Sequence, residues 1–121
     1  MIKVSYEEYV NDYNRTYKTQ AFYNLSEFVD WFFGKCKGKY NKDISVPDPD
    51  SDIWRDGPSC MEVRAMWTEG RTYWIHMIQR DGGIIYTDGI MTNHQTHWND
   101  ETKELCRQMR KRRDKPMFNF I

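Results

Sequence analysis

The chain contains little cysteine or histidine, with three of each among 121 residues. Cys36, Cys60 and Cys106 are widely spaced and form no CxxC pair, which excludes a disulfide-dense scaffold and a paired-cysteine zinc site. This usage indicates a reduced, cytoplasmic protein. No apolar run approaches the roughly 20 residues that cross a membrane, and the charged start MIKVSYEEYV does not resemble a signal peptide. We therefore expect no membrane association.

An excess of charge of either sign is also lacking, because 18 Lys and Arg balance 18 Asp and Glu. Nothing in the overall charge therefore requires a nucleic acid or a membrane as partner. The charge is unevenly placed: residues 103–121 carry seven Lys and Arg but only Glu104 and Asp114, a net of +5. Aromatic residues make up 16% of the chain and the mean hydropathy is −0.91. We therefore expect exposed rings, which often mark a binding face.

The first 23 residues fit either a helix or a β-hairpin. Ser5 and Glu8 have the spacing of a capping box, and tyrosines recur at helical intervals after them. The segments IKVSY and TYKTQAFY, however, alternate as strands do, and Asn11-Asp12 can turn the chain between them. We favour the hairpin, with the helix as the alternative.

The segment NLSEFVDWFFGK predicts a helix that Asn24 or Ser26 caps and that Gly34 ends. A long loop rich in Pro and Asp follows at 38–59, within which DISV can form a short edge strand. A loop of this length is uncommon in a compact domain unless it binds something or is partly disordered.

The second half of the chain predicts three or four strands and a helix. CMEVRAMW, TYWIHMIQR and GIIYT indicate an antiparallel meander, with turn signals at Glu69-Gly70, Asp81-Gly82 and Asp88-Gly89. NDETKELCRQMRKRRDK predicts a helix with an acidic first turn and a basic last turn. The predicted fold is a single α+β domain over residues 1–121, in which an antiparallel sheet carries both helices on one face.

Metal binding rests on few residues. His94 and His97, in MTNHQTHW, are three apart and can supply half of a zinc site, but no second pair of ligands accompanies them. Asp48, Asp50 and Asp52 alternate in DPDSDIWRD, but the glycine and glutamate that an EF-hand loop requires are missing. We expect no cofactor and no metal, with the two histidines as the remaining zinc candidates.

Catalytic motifs are absent: the chain has no G-x-S-x-G, no H-E-x-x-H and no phosphate-cradling glycine loop. The remaining candidate is a general-base pair on neighbouring strands, His76 with Glu62 or Asp88. With Arg64 or Arg80 nearby, such a pair is suited to phosphodiester cleavage. We expect a protein that is not an enzyme, and keep a His-dependent nuclease or zinc protein as the second alternative.

The basic C-terminal helix is the most specific surface feature. Its cations fan around the helix and suit phosphates or an acidic protein surface. They are Arg107, Arg110, Lys111, Arg112, Arg113 and Lys115. The complementary feature is an acidic loop made by Asp48, Asp50, Asp52 and Asp56. Double-stranded RNA-binding domains share the order helix, meander, helix, but their basic cluster opens the last helix, where this chain has the acidic NDETKE.

The succession of FYNLSEFVDWFF, YWIHMI, DGGIIYTDGIMTN, HW and a basic helix ending in PMFNFI resembles small uncharacterised accessory proteins of phages and conjugative elements of Gram-positive bacteria. The resemblance covers most of the chain and assigns no catalytic residues. It implies a non-enzymatic helper that binds DNA, transfer machinery or a host-defence protein. Our leading expectation is therefore a cytoplasmic protein that docks on a protein partner, with nucleic-acid binding through the basic helix as the alternative.

Overall fold

The computed structural model describes residues 1–11, 14–35, 44–50, 61–65, 71–87 and 99–114. These residues form a six-stranded antiparallel sheet and two helices, which confirms the predicted α+β class. None of the helices they contain is long and apolar enough to cross a membrane. In chain order the elements are β1 (Ile2–Asn11), β2 (Asn14–Phe22), α1 (Leu25–Gly34), β3 (Ile44–Ser45), β4 (Met61–Ala65), β5 (Arg71–Arg80), β6 (Gly83–Thr87) and α2 (Asp100–Arg113).

The N-terminal segment is the predicted hairpin. β1 and β2 pair from Ile2↔Phe22 to Asn11↔Asn14. The period-two alternation buries Ile2, Val4 and Tyr6 on one face, so the strand pattern prevails and the helical alternative is wrong.

β5 is the central strand, as its apolar residues on both faces predict. β1 pairs along one edge of β5, whereas β4 and β6 share the other edge, end to end. The register of β4 reaches Met61↔Ile75, and that of β6 begins at Met77↔Thr87. At this junction the Met61 backbone N–H donates to the buried Tyr86 hydroxyl at 3.1 Å. The antiparallel pairings β1–β2, β4–β5 and β5–β6 are therefore present. They differ from the predicted meander, because β4 and β6 share one edge of β5 and β1 takes the other; the sheet order is β2-β1-β5-β4-β3 with β6 beside β5.

The turn between β5 and β6 confirms the Asp-Gly prediction. Asp81 has φ 48° and Gly82 has φ 85°. Two successive positive φ values characterise the type I′ turn, whose twist matches that of the flanking strands. The other two turn signals, at 69–70 and 88–89, lie outside the described residues.

Both helices have an asparagine N-cap, and of the two candidates for α1, Asn24 and Ser26, the cap is Asn24. Asn24 Oδ1 accepts from the Glu27 N–H at 2.9 Å, and Asn99 Oδ1 accepts from the Thr102 N–H at 2.8 Å. The helices lie side by side on one sheet face, and Arg112 of α2 bonds Asp30 of α1 at 2.6 Å. Their buried side chains join one core with those of the sheet. The helical contributions are Phe28, Phe32, Leu105, Cys106 and Met109.

The middle of the Pro- and Asp-rich loop packs against the domain. Ile44 and Ser45 form the predicted short edge strand on β4, and Ile44 and Val46 are buried. This places residues 44–50 beside α2, where the Val46 carbonyl accepts from Arg110 Nη1 at 2.8 Å. Residues 36–43 and 51–60 lie outside the described part of the chain.

Candidate functional site

His76 lies at an irregular point in the centre of the sheet. The β1–β5 register passes from Tyr6↔Ile75 to Ser5↔Met77, which inserts His76 as one extra residue in β5. Such β-bulges re-aim side chains and are frequent near functional sites. The same residue stands where β4 gives way to β6 on the opposite edge of β5.

A buried carboxylate, Glu7 of β1, meets His76 from the neighbouring strand. Glu7 Oε1 lies 3.3 Å from His76 Nε2, and Glu7 Oε2 accepts from Arg15 Nη1 of β2 at 3.1 Å. The Tyr17 ring lies 5.7 Å from that of His76, and the nearby Glu7 carboxylate raises the pKa of Tyr17. The ring of Trp74 lies 5.1 Å from that of His76. We call Glu7, Arg15, Tyr17, Trp74 and His76 the Glu7 cluster.

The Glu7 cluster contains the parts of a general-base pair, but its accessibility limits its chemistry. The Glu7 side chain is fully buried, and one of its oxygens faces His76 while the other binds Arg15. A substrate on the surface meets Arg15 and Tyr17, which are 34% and 67% exposed, before it meets Glu7. The cluster is therefore arranged to hold β2 and β5 against β1.

The partners predicted for His76 stay predictions. Glu62 stands opposite Trp74 in the β4–β5 register, and Asp88 lies outside the described residues. Of the arginines considered, Arg80 of β5 bonds Glu101 of α2. Sequence reasoning did not identify Glu7, the carboxylate that bonds His76.

A second carboxylate, Glu8, makes a matching set of contacts on the helix-bearing face. Its oxygens accept from Lys18 Nζ of β2 and from Arg71 Nη1 of β5, each at 2.6 Å. The Tyr73 hydroxyl lies 3.5 Å away. The bond from Lys18 lowers the pKa of Glu8, with a further contribution from Arg71. Adjacent residues of one strand thus tie the same two neighbouring strands together on opposite faces.

The basic helix and the acidic loop contact each other. Arg107 makes a bidentate contact with Asp50, with nitrogen–oxygen distances of 2.9–3.2 Å. The Arg110 side chain lies 3.7 Å from Asp48, and Arg112 bonds Asp30. The contact with Arg107 lowers the pKa of Asp50. The two charged surfaces that the sequence predicts are therefore partly used to bind one another.

The remaining cations of α2 differ in their surroundings. Arg113 bonds Asp114 at 3.0 Å, and Lys111 is exposed. Lys115 and two of the loop residues, Asp52 and Asp56, lie outside the described residues. The charge that α2 offers to an external phosphate is thus smaller than its six cations suggest.

An apolar groove of about 480 Å³ lies between α1 and α2. Leu25, Val29 and Leu105 are among the side chains that line it. At its rim Asp30 bonds Arg112, and Glu101 bonds Arg80. The groove is therefore apolar inside, and these rim charges are paired.

The two histidines predicted as metal candidates lie outside the described residues. His94 and His97 lie in the segment 88–98, which is not described. Among the described residues, no three His, Cys, Asp or Glu side chains come together as a metal site. Cys106 is buried, and burial raises the pKa of its thiol to about 12. It therefore stays a neutral thiol at physiological pH, whereas zinc ligands are thiolates.

Few rings are strongly exposed in the part of the chain that the structure describes. Of the described aromatic residues, Tyr17 and Tyr23 are the strongly exposed ones, at 67% and 78%. Most other described rings belong to the core or pack against it. The expected contiguous aromatic face is not present among the described residues, and both exposed tyrosines lie on β2 or directly after it.

β2 forms a long open edge of the sheet. It has nine residues, of which the first eight are exposed. No other described strand pairs with its outer side. At the opposite end of the sheet, β3 is only two residues long. Short edge strands are protected from pairing, whereas a long one presents a row of backbone donors and acceptors.

No protein-family model, curated protein or solved structure matches this chain.

Proposed function

We propose that this chain is a small cytoplasmic binding protein without catalytic activity, and that an extended segment of a protein partner adds to its sheet at β2. The observation that carries the proposal is the open edge of nine residues, eight of them exposed. Strand addition takes its affinity from main-chain hydrogen bonds and its specificity from alternate side chains.

The charged residues of β2 do not protect its edge. Edge strands often carry lysines that discourage pairing. Here Lys18 bonds Glu8 and Arg15 bonds Glu7, both on β1. Both cations are therefore already paired with carboxylates of the inner neighbour. Tyr17 stays largely exposed and offers an incoming strand a cross-strand aromatic contact.

This proposal gives a physical basis to the resemblance to accessory proteins of mobile genetic elements. A helper of a phage or conjugative element acts by binding, and strand addition requires no catalytic residue. Pairing of α2 cations with Asp30, Asp48 and Asp50 favours a protein partner over a nucleic acid, because it reduces the charge available to phosphates.

The test is selection of random peptides long enough to span β2, followed by hydrogen exchange. We expect selected peptides to slow the exchange of alternate β2 amides, because only every second N–H points outward in an antiparallel strand. Thr19→Pro and Gln20→Pro are matched variants. One of these adjacent positions directs its N–H outward, so one variant blocks addition while it keeps the β1–β2 ladder.

The informative proline variant is the one whose thermal unfolding stays close to that of the wild type. Loss of peptide binding in that variant supports strand addition. Peptides that bind it as tightly as the wild type, or that leave β2 exchange unchanged, contradict the proposal. Self-association that the same variant abolishes identifies a second copy of the chain as the occupant, which also contradicts the proposed partner.

A further inference from the structure

A polar groove of about 440 Å³ extends from β2 across β1, with Glu8, Tyr9 and Val10 of β1 in its lining. β2 lines it with Asn14, Arg15, Thr16 and Lys18, and Arg71 reaches it from β5. Three cations and one carboxylate, Glu8, are thus gathered around one cavity. No other carboxylate is among the described residues that line it.

The accessible charge of this groove is positive. The Glu8 side chain is only 11% exposed, whereas Lys18 and Arg71 are 46% and 45% exposed. The carboxylate therefore lies beneath the two cations that it binds. A lysine ammonium has three donors, and Glu8 takes one from Lys18. A ligand that enters the groove meets cationic groups that Glu8 already holds in place.

The groove is placed to receive a side chain from a strand that pairs with β2. Side chains of a strand point alternately to its two faces. Thr16 and Lys18 share the helix-bearing face, because they pair with Glu8 and Tyr6. An added strand in register with them directs every second side chain toward the groove.

We infer that the segment which adds to β2 carries an acidic side chain, and that this carboxylate binds the Lys18 ammonium at the edge of the groove. The inference rests on the proposed function, since it names the chemistry of the partner that the edge accepts. It assigns specificity to the groove, while the backbone of β2 supplies the bonds that any extended peptide makes.

The test compares two peptide libraries of the same extended design. One library contains Asp and Glu, and the other has Asn and Gln in their place. We expect the acidic library to yield binders about tenfold tighter than their amide counterparts, as one charge-assisted hydrogen bond predicts. Lys18→Gln is expected to remove this advantage, and Lys18→Arg to keep most of it.

Lys3→Gln is the matched control. Lys3 is an exposed lysine of β1 whose side chain lies on the sheet face opposite to that of Glu8. Lys3→Gln is expected to leave the preference for acidic peptides unchanged. Thermal unfolding of Lys18→Gln checks that the hairpin remains folded. A loss that is equal for acidic and amide peptides reports damage to the edge itself and overturns the inference.

The outcomes separate this inference from the proposed function. If the informative proline variant loses peptide binding, but acidic and amide peptides bind the wild type equally well, strand addition is supported and the acidic partner is contradicted. If acidic peptides lose affinity for Lys18→Gln but bind both proline variants as tightly as the wild type, strand addition is contradicted, and the inference fails with it. An absence of binders from both libraries overturns both.

Discussion

Glu7 and Glu8 show how much one pair of adjacent residues contributes to this sheet. Consecutive side chains of a strand point to opposite faces, so each carboxylate joins β1 to both neighbours on its own side. Glu7 reaches Arg15 and His76, and Glu8 reaches Lys18 and Arg71. The two differ mainly in burial, and burial decides how much the loss of a charge costs.

We expect Glu7→Gln to lower the free energy of unfolding by about 2 kcal/mol. Removal of one partner from a buried charge pair leaves the other poorly compensated, and the partial exposure of Arg15 moderates that cost. Urea unfolding measures the change. Glu8→Gln is the matched control, with a smaller expected loss because water reaches Lys18 and Arg71. Equal losses in the two variants would show that burial does not distinguish these positions.

At the scale of the elements, the sequence predicted most of the fold because its signals are local. Asn24 and Asn99 cap their helices, and the Asp81-Gly82 turn has the φ values that its type requires. The N-terminal segment was ambiguous because its tyrosines also recur at helical spacing. Strand pairing selects the hairpin over the helix, since β1 lies between β2 and β5 and buries one of its faces.

The candidate sites were harder to predict, because they depend on which strands become neighbours. His76 belongs to a recognisable strand, but its partner Glu7 is 69 residues away and meets it only because β1 pairs with β5. The available signal was the pair EE within SYEEYV, which must place one carboxylate on each face of a strand. The contact between the basic helix and Asp50 likewise depends on where residues 44–50 pack.

The charge pairing of α2 makes a prediction about nucleic acids. We expect the wild type to bind double-stranded DNA weakly at low salt, and a triple variant to bind it with clear salt dependence. The variant, Asp30→Asn with Asp48→Asn and Asp50→Asn, raises the formal net charge from zero to +3. It also releases the cations that these carboxylates hold. Fluorescence anisotropy over a range of salt concentrations measures the change.

The control for this experiment adds Arg107→Ala, Arg110→Ala and Arg112→Ala to the triple variant. These three added substitutions are expected to abolish the DNA binding that the triple variant gains. Exposed ion pairs add little stability, so the variants are expected to remain folded. Tight binding of the wild type at physiological salt would contradict intramolecular neutralisation, and would favour the basic helix as a nucleic-acid site.

At the scale of the whole molecule, the sheet is asymmetric. The helices and the core cover one face, and the central strand β5 has neighbours along both edges. β2 has β1 as its neighbour on one side, and both carboxylates that fasten it belong to β1. The strand proposed to bind a partner is thus held by backbone hydrogen bonds and also by ionic contacts, and the contact with Glu8 makes part of its attachment sensitive to acid.

This dependence predicts how stability changes with pH. In the folded state, the hydrogen bond from Lys18 is the main reason why the pKa of Glu8 lies below its ordinary value of 4.5. A carboxyl whose pKa is lower in the folded state binds a proton more readily when unfolded. Its contribution is therefore complete above the unfolded pKa and is lost as the pH falls through the folded one. We expect the stability difference between wild type and Glu8→Gln to shrink with acidification below pH of about 4.5. Urea unfolding over a pH series measures this, and a difference that stays constant throughout would show that Glu8 does not fasten β2 through its charge.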